Sequence, residues 1–192
     1  YPLPSTEIKA SLLFDNPFAH PTVIFRKSLF DKFSLRFDGT YYPAEDRELW
    51  IRALECFPSM NIGRVLLEYR LHPDSMTMSG TPNMDAQAVR ILGPEFAKLG
   101  LVPSSEDLEF HQFISTNRLA PGWGVESVDR AERWLMCLID RNDVTNRYDR
   151  SAFRKSAARV WFSVCYRSLH YGWPILGKYS SSQLSFEATK DR

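Results

Sequence analysis

Residues 42–52 read YPAEDRELWIR, and this stretch decides how the surrounding chain is interpreted. Apolar side chains follow at three- and four-residue spacing as far as Phe57, which is the period of a helix with one buried face. Glu45 and Asp46 therefore stand at the N-terminus of a predicted helix. Free backbone N–H groups and the helix dipole favour negative charge at that position.

The residues of this stretch alone leave two interpretations of the acidic pair open. Glu45, with Glu48 three residues later, fits a loose capping pattern, and Asp46 is a residue type preferred at helix N-caps. Alternatively, one of the two carboxylates is catalytic. The motifs on either side favour the catalytic interpretation.

Two further motifs flank the acidic pair. Residues 16–27 read NPFAHPTVIFRK, and residues 65–77 read VLLEYRLHPDSMT. In this order and at this spacing, the run from Phe14 to Thr77 resembles the C-terminal half of the catalytic domain of family 2 glycosyltransferases, which have the GT-A fold. Members of that family commonly carry H-x-T-x-x-x-R, then E-D-x-x-L-W-x-R, then Y-R-x-H-x-x-S.

The resemblance implies transfer of a sugar from a nucleotide-sugar donor to a hydroxyl of a glycan or lipid-linked acceptor, with inversion at the anomeric carbon. Asp46 would be the general base that accepts the acceptor proton, and Glu45 would orient the loop or bind acceptor hydroxyls. His20 would line the acceptor side of the cleft. Arg26 and Arg70 match family positions, where they would bind substrate phosphate or form structural ion pairs.

A divalent metal, Mn²⁺ or Mg²⁺, is also implied by the resemblance, with His72 as a ligand. Most of the other ligands would lie outside this chain, because the sequence has no Asp-x-Asp motif and no glycine-rich turn between a strand and a helix. The chain starts at Tyr1 without a methionine, in what reads as a linker. We therefore expect a piece of a longer enzyme that lacks the donor-binding half and is inactive alone.

The predicted fold class is α+β, dominated by helices. Strands are expected within residues 21–26 and 62–71, as a partial GT-A (Rossmann-like) α/β segment. Residues 1–79 would form the acceptor-side portion of a GT-A domain, and residues 80–192 a C-terminal helical extension. The truncated sheet would leave a strand edge that is either exposed or paired with a second copy of the chain, and the second case would give a homo-oligomer.

The last predicted long helix lies within a basic segment, residues 147–178, in which seven Lys or Arg residues stand against one acidic residue. Aromatic residues are interleaved with these cations. The pattern is typical of a helix lying on an anionic membrane surface, and equally of a packed helix with a solvated basic face. Both interpretations stay open.

Composition narrows the partners and the compartment. The net charge is +1 and the basic residues are concentrated in one segment, so nucleic acid is not an expected partner. The three cysteines lack metal-binding spacing, and we expect free thiols in the cytoplasm, at the inner face of the membrane if the basic segment binds it. The alternative function is a non-catalytic helical interaction module with a relic glycosyltransferase motif.

Overall fold

The computed structural model describes residues 4–68, 70, 82–116 and 122–187. The α-helices in these ranges are α1 (Ser5–Ser11), α2 (Lys27–Lys32), α3 (Glu45–Cys56), α4 (Pro82–Lys98), α5 (Ser105–Ser115), α6 (Val125–Thr145), α7 (Arg150–Arg167), α8 (Trp173–Ser181) and α9 (Gln183–Glu187). Three short 3-10 helices complete the regular structure of these ranges: His20–Thr22, Gly39–Tyr41 and Leu169–Tyr171.

The described ranges contain no β-strand, so the predicted α+β class with a partial GT-A (Rossmann-like) α/β segment is wrong. The predicted strand at 21–26 begins as a 3-10 helix and continues without regular structure, and Ile24 is 95% exposed. β-Branched and aromatic residues favour strands because their side chains pack against a neighbouring strand. The described residues supply no such neighbour, so this propensity is not realised.

The second predicted strand, at 62–71, is also wrong for the residues that the structure describes. Residues 61–68 have no regular structure, and the side chains of Val65 and Leu66 are 91% and 65% exposed. Tyr69 and Leu71 lie outside the described residues. The expected strand edge is therefore absent from the described part of the chain, and association with a second copy stays a prediction without that basis.

The helix behind the acidic pair is confirmed as α3, and its apolar period faces a core as expected. Leu49, Trp50, Ala53 and Leu54 are buried, and they pack with residues of α1, α2 and the following loop. We call this cluster the α3 core; its buried members are Ile8, Leu12, Phe30, Leu35, Leu49, Trp50, Ala53 and Leu54.

The helical prediction for the C-terminal part is confirmed by α4 to α7. Helix α5 begins with a capping box, in which Ser104 and Asp107 exchange hydrogen bonds. Helix α4 runs unbroken through Pro94. It ends before Gly100, whose φ of +69° is the left-handed conformation typical of a helix stop.

Helix α7 is the centre of the larger core, which we call the α7 core. It packs against α1, α6 and α9, and Phe153, Ala157, Trp161 and Val164 on its buried faces are fully covered. Its exposed side chains are confined to a narrow stripe. This is why the helix does not show the one-sided apolar pattern of a surface helix.

Helix α1 and the turn after it connect the two cores. Ile8 and Leu12 belong to the α3 core, whereas Leu13 and Phe14 belong to the α7 core. The predicted boundary at 79/80 lies outside the described residues, and the division into two domains stays a prediction.

The basic segment is neutralised largely from other helices. Arg150 and Arg154 pair with Asp143, Lys155 and Arg159 pair with Glu7, and Lys178 pairs with Asp129. These contacts fit the interpretation of a packed helix with a charged outer face.

No described helix is both long and apolar enough to cross a membrane. The three cysteines are free, as predicted, and Cys165 is buried while Cys56 and Cys137 are partly covered.

Candidate functional site

Asp46 lies in the first turn of α3 with both carboxylate oxygens held. Its Oδ1 accepts a hydrogen bond from the backbone N–H of Arg47 at 2.6 Å. Its Oδ2 accepts one from Nδ2 of Asn16 at 2.9 Å. The side chain is 17% exposed, so the carboxylate has a fixed orientation and remains reachable from solvent.

The capping interpretation of the acidic pair does not describe this helix. The N-cap residue is Ala44, and no side chain caps the helix. Glu48 pairs with Arg52 one turn later, at 2.6 Å, instead of reaching back to the N-cap. Arg52 also donates to the backbone oxygen of Arg36, so its side chain links α3 to the loop before it.

His20 stands beside Asp46 in the fold. Its Nδ1 lies 3.6 Å from Oδ2 of Asp46, and its side chain is half exposed. The imidazole stacks on the ring of Phe37, with centroids 5.5 Å apart and planes 23° apart. The ring of Trp50 meets it edge-on at 6.2 Å. Two aromatic side chains thus fix the plane of the imidazole.

The loop that carries Asn16 and His20 is anchored by its own hydrogen bonds. Oδ1 of Asn16 accepts from the backbone N–H of Phe18 at 3.2 Å, and Nδ2 of Asn61 donates to the oxygen of Pro17 at 3.0 Å. The Phe18 ring packs edge-on against Trp50 at 5.7 Å. This loop is therefore held against the same helix that presents Asp46.

Arg47 positions the helix, and the sequence analysis did not single it out. The side chain is 5% exposed, and its Nε and Nη2 donate to the oxygen of Leu12 at 3.2 and 2.8 Å. Burial lowers the pKa of Arg47, while the carboxylates of Asp15 and Asp46 act in the opposite direction. An arginine that follows two acidic residues in the sequence is typical of a surface position. Its structural role is visible only from its contact with Leu12, which is distant in the sequence.

Glu45 occupies a different place from Asp46. Its Oε2 is buried and has no hydrogen-bond partner among the described residues. Successive residues of a helix point about 100° apart, because 3.6 residues make one turn. Glu45 therefore shares a stripe with Glu48 and Arg52 and does not face the imidazole.

The remaining predicted site residues are not part of this cluster in the described chain. Arg26 is exposed at the start of α2 and makes no ion pair with Asp46 or Glu45 within the described residues. Arg70 is exposed, and its neighbours on both sides lie outside the described residues. His72 also lies outside them.

The described residues do not gather a metal centre. Among the described side chains, no group of three or more His, Cys, Asp or Glu could hold a metal ion. The described residues therefore do not fit a complete divalent-metal site, and the expected ligand His72 remains untested.

Comparison with known proteins relates part of the chain to a glycosyltransferase. It is 37% identical over 76 residues to an O-antigen biosynthesis glycosyltransferase, WbnJ, of Escherichia coli. The matched residues make up 38% of this chain and 29% of that relative. No family model and no solved structure matches the chain. The relationship is to a glycosyltransferase in general; it does not establish family 2 or the GT-A fold.

Proposed function

We propose that this protein is the acceptor-side part of a glycosyltransferase that moves a sugar from a nucleotide-sugar to a hydroxyl of a glycan or lipid-linked acceptor. The observation that carries the proposal is the geometry at the start of α3. A carboxylate held through both oxygens lies beside an accessible imidazole, in a chain partly related to a glycosyltransferase.

The proposed chemistry needs a group that takes the proton of the acceptor hydroxyl. As that proton leaves, the acceptor oxygen forms a bond to the anomeric carbon. The bond between that carbon and the donor diphosphate breaks, and the electron pair leaves with the diphosphate. In a single displacement with inversion, one base on the acceptor side is sufficient. Asp46, the base expected from the sequence, is the residue on which this deprotonation depends.

We further propose that the donor site needs polypeptide beyond the described residues. A group of apolar side chains is exposed on the loops around α2 and α3: Ile24, Phe25, Phe37, Met60, Ile62, Val65 and Leu66. Exposed apolar side chains are typical of a covered interface where they form one patch. A divalent metal remains part of this proposal, but no step is assigned to it here because its ligands are not gathered in the described chain.

Membrane contact and a cytoplasmic location are the remaining parts of the proposal. The cations of residues 147–178 are largely paired, but an aromatic strip beside them is exposed. Phe162, Tyr166 and Trp173 are 52%, 65% and 84% accessible. Aromatic rings with polar edges favour the headgroup region of a bilayer, so this strip is the better candidate for a membrane contact.

The function is tested with the native-length protein. Each variant is introduced into the native coding sequence, and the resulting protein is assayed at that length. The purified enzyme is supplied with a panel of nucleotide-sugars and glycan or lipid-linked acceptors, and release of nucleoside diphosphate is measured with the glycosylated product. We expect acceptor-dependent release that Asp46→Asn lowers by about 10²–10⁴-fold. Absence of transfer with every pair in the panel would count against the proposal.

The isolated chain is the complementary sample. Calorimetric titration of residues 1–192 with nucleotide-sugars and Mn²⁺ should show no micromolar binding, because we place the donor site elsewhere. Micromolar affinity would show that this chain contains the donor site.

A further inference from the structure

The contacts of Asp46 leave little room for a substrate at its carboxylate. Oδ1 already accepts from the backbone N–H of Arg47, and Oδ2 accepts from Asn16 and lies next to Nδ1 of His20. The side chain is 17% exposed, against 50% for His20. An acceptor hydroxyl that approaches from solvent therefore meets the imidazole more readily than the carboxylate.

The orientation of His20 places its second nitrogen away from Asp46. Nδ1 and Nε2 lie on opposite sides of the imidazole, and Nδ1 is the atom that faces Oδ2 of Asp46. The stacking with Phe37 and the edge contact with Trp50 restrict rotation of the ring. Nε2 therefore points away from Asp46.

We propose that His20 is the catalytic base of the transfer and that Asp46 is its positioning residue. This inference rests on the proposed function and changes the assignment of the base within it. In this assignment Nδ1 of His20, which faces Asp46, carries the proton, and Nε2 is the nitrogen that accepts. The pair separation of 3.6 Å is longer than a hydrogen bond, and such catalytic contacts commonly shorten when substrate is bound.

The proton balance of the step is simple. The acceptor O–H proton moves to Nε2 of His20, and the electron pair of that bond forms the new bond from oxygen to the anomeric carbon. The diphosphate departs with the electrons of the bond that breaks. The positive imidazolium is stabilised by the Asp46 carboxylate, and its proton is later lost to solvent.

The charged surroundings are compatible with this role. Asp46 faces the imidazole directly, and Phe37 and Trp50, the other side chains packed on it, carry no charge. The charge of Arg47, the next residue in the chain, interacts with the carboxylates of Asp15 and Asp46.

The decisive experiment compares His20→Gln, His20→Ala and Asp46→Asn in the native-length enzyme, with nucleoside diphosphate release as the assay. His20→Gln should lower kcat/KM by about 10²–10⁴-fold, as expected for loss of a general base. The wild-type rate should rise with pH, and this rise should vanish in His20→Gln. Added imidazole should restore part of the activity of His20→Ala, because the half-exposed position opens to solvent. His170→Gln, which removes an exposed histidine of the Leu169–Tyr171 turn, is the matched control and should leave both readouts unchanged.

Several results would overturn the assignment without overturning the proposed function. One is a His20→Gln enzyme that keeps its pH-dependent rise and loses less than about threefold in rate while Asp46→Asn is inactive; Asp46 would then act directly.

A second readout does not depend on activity or on the folding of the His20 variants. In nitrogen-resolved NMR of the wild-type chain, neutral His20 should carry its proton on Nδ1, and Asp46→Asn should abolish that preference. A proton on Nε2 in the wild type would refute the pair.

Discussion

Nη2 of Arg147 lies 2.9 Å from Oε2 of Glu95, and this contact joins the turn between α6 and α7 to helix α4. The same guanidinium also pairs with Glu55 of α3, which in turn accepts from Lys9 of α1 at 3.0 Å. The ion pairs hold the pKa of Glu55 at about 2, against the effect of its partial burial. Arg147 therefore ties the helix that carries Asp46 to the α7 core.

Replacement of Arg147 tests how much this connection stabilises the fold. The side chains of Glu95 and Arg147 are 4% and 13% exposed, so Arg147→Met leaves a buried carboxylate with fewer partners. We expect the free energy of unfolding to fall by about 3 kcal/mol, the lower end for breaking a buried pair, because Lys98 and Tyr148 still contact Glu95. Urea unfolding measures the change. The control is Arg150→Met, whose solvent-exposed pair with Asp143 should cost much less. Equal losses in the two variants would contradict the role assigned to Arg147.

Asp46→Asn separates a functional carboxylate from a structural one. Asn keeps the size of the side chain and can still accept from Asn16 or Arg47, so the melting temperature should change little. Turnover of the native-length enzyme should fall by about 10²–10⁴-fold. Glu45→Gln is the matched control, and it should lower turnover less, because Glu45 does not face the imidazole. Near-normal turnover with unchanged melting in Asp46→Asn would remove this residue from the mechanism. A larger loss in Glu45→Gln would transfer the role to its neighbour.

His111 predicts a loss of stability in acid. The imidazole is fully buried; Nδ1 accepts from Nε1 of Trp134 at 3.0 Å, and Nε2 lies 2.9 Å from the oxygen of Leu13. Burial lowers the pKa of His111 from 6.5 to about 4. The unfolded chain therefore takes up a proton near pH 6.5, whereas the folded protein does not do so until about pH 4. The contribution is fully present above pH 6.5 and is lost as the pH falls towards 4, by about 3 kcal/mol in total.

The measurement is the free energy of unfolding at pH 7 and at pH 4.5, in the wild type and in His111→Gln. Between these two values the wild type should lose about 2–3 kcal/mol more than the variant. Other groups titrate in the same range and contribute equally to both proteins, so only the difference is assigned to His111. His170→Gln should retain the full wild-type slope, since its imidazole is exposed. If the free energy of unfolding falls equally with pH in His111→Gln and in the wild type, the buried histidine is not the source of the acid-dependent loss of stability.

The aromatic strip predicts binding to lipid vesicles. Trp173 is 84% exposed at the start of α8, and burial of a side chain of this size in the headgroup region contributes about 1.5–3 kcal/mol. Trp173→Ala should therefore weaken sedimentation with vesicles of anionic and zwitterionic lipid by about tenfold or more. Val102→Ala, which shortens an exposed apolar side chain in the loop between α4 and α5, should not change it. Wild-type protein that stays in the supernatant at low salt would exclude this contact.

The sequence by itself determined most of the helices and the place of the acidic pair. The period of α3 is a local property, because it depends on side chains within a few turns of one another. The motif order also led to His20 and Asp46 as members of one site, although they are 26 positions apart in the chain. These two side chains do meet.

The tertiary structure decided what local preference could not. Apolar residues in 21–26 and 62–71 predict strands, but a strand needs a neighbour, and the described chain supplies none. The burial of Arg47 likewise depends on Leu12, thirty-five residues away. The orientation of Asp46 depends on Asn16, which the sequence marked only as a break. Such contacts join residues that are distant in the sequence. Their energies therefore depend on the packing of α1 against α3 and not on the neighbouring residues in the sequence.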